Sequence, residues 1–221
     1  MKNLLIILIV LSIAFLNINA KEKTGGTNLG IRAGLNFPTM GLEVNSGSTT
    51  ENFTFKSNFG FNVGVLLETQ IFDNISFQPG LLWYVKGGTE TYNDNNTNGE
   101  FNMSINYLHV PLNLLYKVDM GLFTPYIMAG GYLSYAISGT NKSKYGSYEN
   151  TTTLEFGEYK HMLPFDAGVS FGAGVELSNF RFILNYDLGM INIFTPPSSI
   201  SKMTGTQKNY VFSVSVGYFL D

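Results

Sequence analysis

A chain of 221 residues with no cysteine, a net charge of −3 and only 13% charged residues excludes a disulfide framework, thiolate metal sites and lipidation at an N-terminal cysteine. No basic cluster points to nucleic acid. Against the ~25% charge of an average soluble domain, few charges combined with 18 Phe, 13 Tyr and 24 Gly suit a β-rich protein that faces lipid.

The first segment reads as an address. Lys2 is a basic start, Leu4 to Leu16 is an apolar run broken only by Ser12, and Ile18-Asn19-Ala20 ends on the small residue a signal peptidase needs. The run is too short for a membrane-spanning helix, which needs about 20 apolar residues. Residues 1–20 are therefore expected to be a cleaved signal peptide and 21–27 a short periplasmic segment, with a β-barrel domain over 28–221.

After that segment no stretch keeps apolar residues at helical spacing, and period two takes over. From Asn28, Leu29, Ile31, Ala33, Leu35 and Phe37 share one face against Gly30, Arg32, Gly34 and Asn36. Similar alternation follows from Phe59, from Ile75, from Tyr107 and from Thr124. In Phe165 to Leu177, odd positions are apolar, and Asp166, Gly168, Ser170, Gly172, Gly174 and Glu176 lie opposite. In Phe180 to Met190, even positions are apolar, and Arg181, Ile183, Asn185, Asp187 and Gly189 lie opposite. The last segment repeats this, with Tyr210, Phe212, Val214, Val216, Tyr218 and Leu220 on one face and Ser213, Ser215 and Gly217 on the other. About eight strands of roughly ten residues have the length a tilted strand needs to cross a bilayer.

The connections alternate. Short ones are expected around Asp73-Asn74, Met120-Gly121 and Ser178-Asn179. Long polar ones are expected over Pro38 to Asn58, Gly87 to Ser104, Gly139 to Leu163 and Phe194 to Lys208. This is the layout of an eight-stranded antiparallel up-and-down transmembrane β-barrel, with termini and short turns periplasmic and long loops extracellular. A soluble sandwich or lipocalin-like barrel is the competing reading. Its water-facing surface would carry about 25–35% charged residues, whereas the less apolar face here is mostly Gly, Ser and Asn. Aromatic residues agree with a membrane. Phe59, Trp83, Tyr135 and Phe165 fall outward near the loop end, and Tyr116, Phe180, Phe182 and Tyr218 near the turn end, as two interfacial girdles.

The inward set contains Arg32, Glu68, Lys86, His109, Lys117, Asp166, Glu176, Arg181 and Asp187. Eight strands leave an interior just wide enough for side chains, and charges buried there must pair. A two-residue turn at Ser178-Asn179 sets Glu176 opposite Arg181, so these form a cross-strand ion pair that Glu68 and Lys117 could join. Arg32 and Asp187 are the next expected pair, because their strands both flank the last one. These charges read as a plug rather than a selective path. Chemistry has little support. His109 faces inward near Ser104 and Asn106, which do not make a triad. His161 lies in a long loop after Glu155 and Glu158. The G-x-G at Gly172 sits inside a strand, with no helix to follow it. No metal or cofactor is expected, and sequons at Asn52, Asn141 and Asn150 read as ordinary Asn/Thr-rich loops.

The segments "GIRAGLNFPTM", "FQPGLLWYVKGG", "YLHVPLNLLYKV", "PYIMAGGYLSYAISG", "FGAGVEL" and "YDLGMINI" together resemble the outer-membrane β-barrel domain family of Bacteroidota often called PorT-like. The resemblance covers nearly all of the chain after residue 20 and implies a fold rather than an activity. The family often has an acidic residue before its Val/Ile-Pro-Leu segment, and His109 holds that place here. The family name comes from a member needed for a gliding-associated secretion system, which implies an accessory role with envelope or secretion-system proteins. The last strand, with Gly217, Tyr218, Phe219 and Leu220, resembles a C-terminal signal for the barrel-insertion machinery. The expectation is a non-enzymatic barrel in outer-membrane lipid, with a plugged lumen and interacting loops. A secretion accessory, a narrow solute pore and a lipid-modifying enzyme are the alternatives.

Overall fold

The computed structural model describes residues 26–46, 49–94, 97–157, 160, 162–195 and 203–220. The expected signal peptide, the segment before residue 26 and His161 lie outside them. Ten strands follow in chain order: β1 (Thr27–Ser46), β2 (Thr49–Phe55), β3 (Gly60–Phe72), β4 (Ile75–Asp94), β5 (Thr97–Lys117), β6 (Thr124–Tyr145), β7 (Tyr148–Thr153), β8 (Phe165–Leu177), β9 (Phe180–Gly189) and β10 (Met203–Leu220). Eight of them form an antiparallel ring in the order β1-β3-β4-β5-β6-β8-β9-β10, which closes where β10 pairs with β1. The other two, β2 and β7, are outgrowths paired on β1 and β6. The ring is an eight-stranded transmembrane β-barrel.

The expected long loops need correction. Much of each is strand. β1 runs on to Ser46 and returns as β2, β4 runs to Asp94 and meets β5 from Thr97, β6 runs to Tyr145 and returns as β7, and β10 starts at Met203. The physical reason lies in polarity. Period two reveals a strand only when one face is apolar, and β7, for one, is exposed at every residue. Thr, Tyr and Phe in "TETYND" and "TNGEFNMS" still favour the pleated backbone.

Parity does what the sequence pattern requires. On β9, Leu184 is 50% exposed and Ile183 is 2% exposed, so successive side chains face lipid and lumen. Tyr116, Phe180, Phe182 and Tyr218 project outward at the turn end, and Phe59 and Trp83 at the loop end. Tyr135 and Phe165 are half-buried because they sit side by side in register. Trp83 Nε1 donates to Asn106 Oδ1 at 3.1 Å, and Asn106 Nδ2 donates to Ser138 Oγ at 3.0 Å. An indole with its ring toward lipid and its N–H on a polar partner suits a membrane boundary.

The two-residue turn between β8 and β9 puts Leu177 opposite Phe180 and Glu176 opposite Arg181. Its first residue, Ser178, has φ 52, which is the left-handed backbone such a tight hairpin demands. β8 and β9 are shorter than their neighbours β6 and β10, which leaves a notch at the loop end. Leu154, Met162 and Ile193 fill it and are buried. Leu154 and Met162 pack with Met40, Phe55, Ile105, Tyr107 and Val211 as an apolar layer across that mouth.

Candidate functional site

The functional candidates lie in the lumen, in two polar tiers below the apolar layer. All nine predicted inward residues face inward, on six of the eight ring strands. Toward the turn end, β3 contributes Glu68, β5 Lys117, β8 Glu176 and β9 Arg181. Lys117 Nζ bonds Glu68, and it reaches Glu176 Oε2 at 2.9 Å. Arg181 Nη1 bonds Glu68, while its Nε lies 3.0 Å from Glu176 Oε2. Two cations and two anions thus alternate around a closed square, and the expected Glu176–Arg181 pair is one of its sides. Gln78 Nε2 donates to Glu68 Oε2 at 2.9 Å. The Arg181 guanidinium also stands 3.8 Å from the centre of the Phe219 ring, in cation–π range. A cavity of about 270 Å³ opens from this square toward the turn end, past Asn28, Gln70, Asp73 and Asp119.

The middle tier is centred on Lys86. Its Nζ lies 2.8 Å from Asp166 Oδ2 and 3.1 Å from Ser134 Oγ. Three tyrosines surround it, with ring centres at 4.2 Å (Tyr132), 5.0 Å (Tyr107) and 5.7 Å (Tyr84). Asn209 Nδ2 donates to Asp166 at 3.0 Å. His109 stacks on Tyr84, ring centres 4.3 Å apart, and its Nδ1 lies 2.8 Å from Ser134 Oγ. Asp187 accepts from Tyr84 Oη at 2.8 Å, from Asn185 Nδ2 at 2.7 Å and from Ser170 Oγ.

The expected Arg32–Asp187 pair is not formed. Arg32 Nε donates to Asn62 Oδ1 at 3.0 Å and Nη2 to Ser213 Oγ at 3.2 Å, and Asp187 is served by hydroxyls and an amide. The two flanking strands are separated by β10, and β10's small Ser213 puts a hydroxyl where the guanidinium can use it. Of the C-terminal residues, Tyr218 and Leu220 point out, whereas Gly217 and Phe219 point in. Phe219 is 1% exposed. A Cβ on Gly30 would lie 2.8 Å from three of its ring carbons, so the cross-strand glycine is what gives the ring room.

Ser134, His109 and Asp187 have the residue types of a nucleophile, a base and an orienting acid, and His109 Nε2 stands 4.0 Å from Asp187 Oδ2. All three are buried to within 1%, so no substrate can approach the hydroxyl in this packing. Among the described residues no group of three His, Cys, Asp or Glu side chains is placed to hold a metal ion. The residues that sequence reasoning missed are the uncharged partners: Tyr84, Tyr107, Tyr132, Ser134 and Asn209. A signal existed. Tyr84 is two residues from Lys86, Tyr107 two from His109, and Tyr132 two from Ser134, so parity sends each inward.

Three solved outer-membrane structures illustrate the likeness. OprG from Pseudomonas aeruginosa aligns over 89% of this chain and 97% of its own, at 12% identity and TM-score 0.49. Ail, the attachment invasion locus protein of Yersinia pestis, aligns over 86% and 98%, at 11% and 0.33. The outer membrane protease OmpT of Escherichia coli aligns over 91% and 99%, at 8% and 0.33. No curated protein sequence matches the chain. Residues 19–195 match the family described as outer membrane protein beta-barrel domain. With that match spanning most of the sequence, and a closed eight-stranded ring that is apolar outside and charged inside, the chain belongs to the outer membrane protein beta-barrel domain family.

Proposed function

We propose that this is a non-enzymatic outer-membrane barrel that seals its own lumen and interacts through its extracellular extensions. The observation that carries this is the middle tier, where Lys86 and Asp166 are both 0% exposed and three tyrosines fill the cross-section around them. Four lumen cations (Arg32, Lys86, Lys117 and Arg181) face four anions (Glu68, Asp166, Glu176 and Asp187), so the plug is neutral when His109 is neutral, and an ion entering it would have to displace a partner. An even strand count places both ends of the barrel on one side. Periplasmic termini with extracellular long hairpins follow the usual order, as do a signal peptide over 1–20 and a barrel domain from 28 to 221.

Planar-bilayer conductance tests the reading. The purified barrel should give no sustained current, and steady single-channel steps would replace it with the small-solute pore. The PorT-like resemblance supports a second reading, an accessory of a protein secretion system. The hairpins β1–β2, β4–β5 and β6–β7 are the surface it would offer to envelope proteins. Deleting residues 143–153 should leave the barrel folded and abolish capture of such partners from cross-linked envelopes. Unchanged capture would remove this hairpin from the reading.

A further inference from the structure

The turn between β5 and β6 is mostly apolar. It reads Val118-Asp119-Met120-Gly121-Leu122-Phe123. Leu122 is 85% exposed, Met120 58%, and Val118 and Phe123 39% each. The neighbouring β3–β4 turn adds Phe72 at 66% and Ile71 at 41%, and Lys117 N donates to Asn74 O at 2.8 Å, which ties the two turns together. By contrast, the β8–β9 turn is the polar pair Ser178-Asn179.

The backbone that presents these side chains is fixed by hydrogen bonds. Met120 N bonds Phe123 O at 3.2 Å, Val118 N bonds Pro125 O at 3.0 Å, and Gly121 N bonds Asp119 Oδ1 at 2.8 Å. The Asp119 carboxylate braces the loop from within. The apolar surface also lies beyond the expected hydrocarbon band. On β5 the outward positions run from Asn106, at the Trp83 boundary, to Tyr116. Ten residues rising ~3.4 Å each at a tilt near 45° cover about 24 Å, close to the ~25 Å apolar height of such barrels. Val118 to Phe123 comes after that. The next layer is the headgroup region, about 5–8 Å deep per leaflet.

We propose that the β5–β6 turn, with Ile71 and Phe72, is a wedge seated in the headgroup layer of the leaflet at the turn end. The proposal rests on the outer-membrane reading of the barrel. Its occupant is lipid because the patch is continuous with the lipid-facing wall through Ile75, Tyr116 and Ile127, with no Lys, Arg or Glu interposed on the outward face. Asp73 and Asp119 are the acidic residues of the two turns. The wedge makes lipid contact reach lower on the β3–β6 sector than on the β8–β9 sector, and so inclines the barrel in the bilayer.

Trp83 is the sole tryptophan, which makes the test direct. The full barrel is reconstituted in vesicles of phosphatidylcholine, with and without brominated acyl chains near the headgroup. Native Trp83 is compared with the double variant Trp83→Phe, Leu122→Trp. The wedge predicts that the new indole loses most of its emission to brominated lipid and little to aqueous acrylamide. Quenching of Trp83 by lipid while the new indole answers only to acrylamide overturns the wedge and leaves the barrel reading standing. Failure of brominated lipid to quench either indole overturns both. Should the double variant fail to fold, Leu122→Cys in this cysteine-free chain takes a nitroxide. Greater collision with oxygen than with a water-soluble nickel complex then supports the wedge, and the reverse overturns it.

Discussion

Lys86 shows how a single charge is made tolerable in the closed interior of the barrel. Its ammonium keeps one carboxylate, one hydroxyl and three aromatic faces, and each replaces part of the lost hydration. Removing one partner strands the other. Lys86→Met should cost about 3–5 kcal/mol, read by urea unfolding in lipid or detergent. The double change Lys86→Met, Asp166→Leu should recover most of that. If the double variant is as unstable as the single, the pair is not the source of the loss. On the outer surface the same chemistry has the opposite sign of tolerance. Leu184→Arg should cost about 2–4 kcal/mol at mid-membrane. A neutral result at Leu184 would mean that the wall does not face lipid there.

At the level of strands, alternation carried most of what could be foreseen. Eight ring strands, their inward charges and the Glu176–Arg181 register follow from period two and a two-residue turn. Two things escaped. Strands that both flank the last one suggest an Arg32–Asp187 pair, but a buried guanidinium needs hydrogen-bond acceptors, and Asn62 and Ser213 supply them closer at hand. The strand extension β7 escaped because it is exposed at every residue, so no apolar stripe betrays it. Between strands, fit is set by glycine against aromatic. Gly30 yields to Phe219 on β10, where a Cβ would come within 2.8 Å of the ring. Gly30→Ala should therefore destabilise by about 1–3 kcal/mol through overpacking, measured by unfolding midpoint. Adding Phe219→Leu should return part of the loss, which a purely backbone effect at Gly30 would not allow.

For the molecule as a whole, closure is what distinguishes this sheet from an open one, and it has a simple readout. A closed barrel resists detergent, so the unboiled protein should migrate differently on a gel from the boiled one. Equal mobility, together with solubility free of detergent, would contradict the transmembrane barrel. Closure also shapes how the chain gets there. The β1–β10 ladder runs without a break from Leu29↔Leu220 to Ser46↔Met203, while β3–β4 and β5–β6 each slip once. The pairing that joins the most distant parts of the sequence is thus free of slips. Every other ring contact links strands that are consecutive or one hairpin apart, so it can form early and locally. The seam must wait for both ends and carries the largest loop-closure cost. A joint made last and made without a break acts as a latch. Assembly is slow until the ends meet, and once they do, escape requires unzipping a full-length ladder, so the finished barrel is held by the slowness of its unfolding as much as by its equilibrium stability.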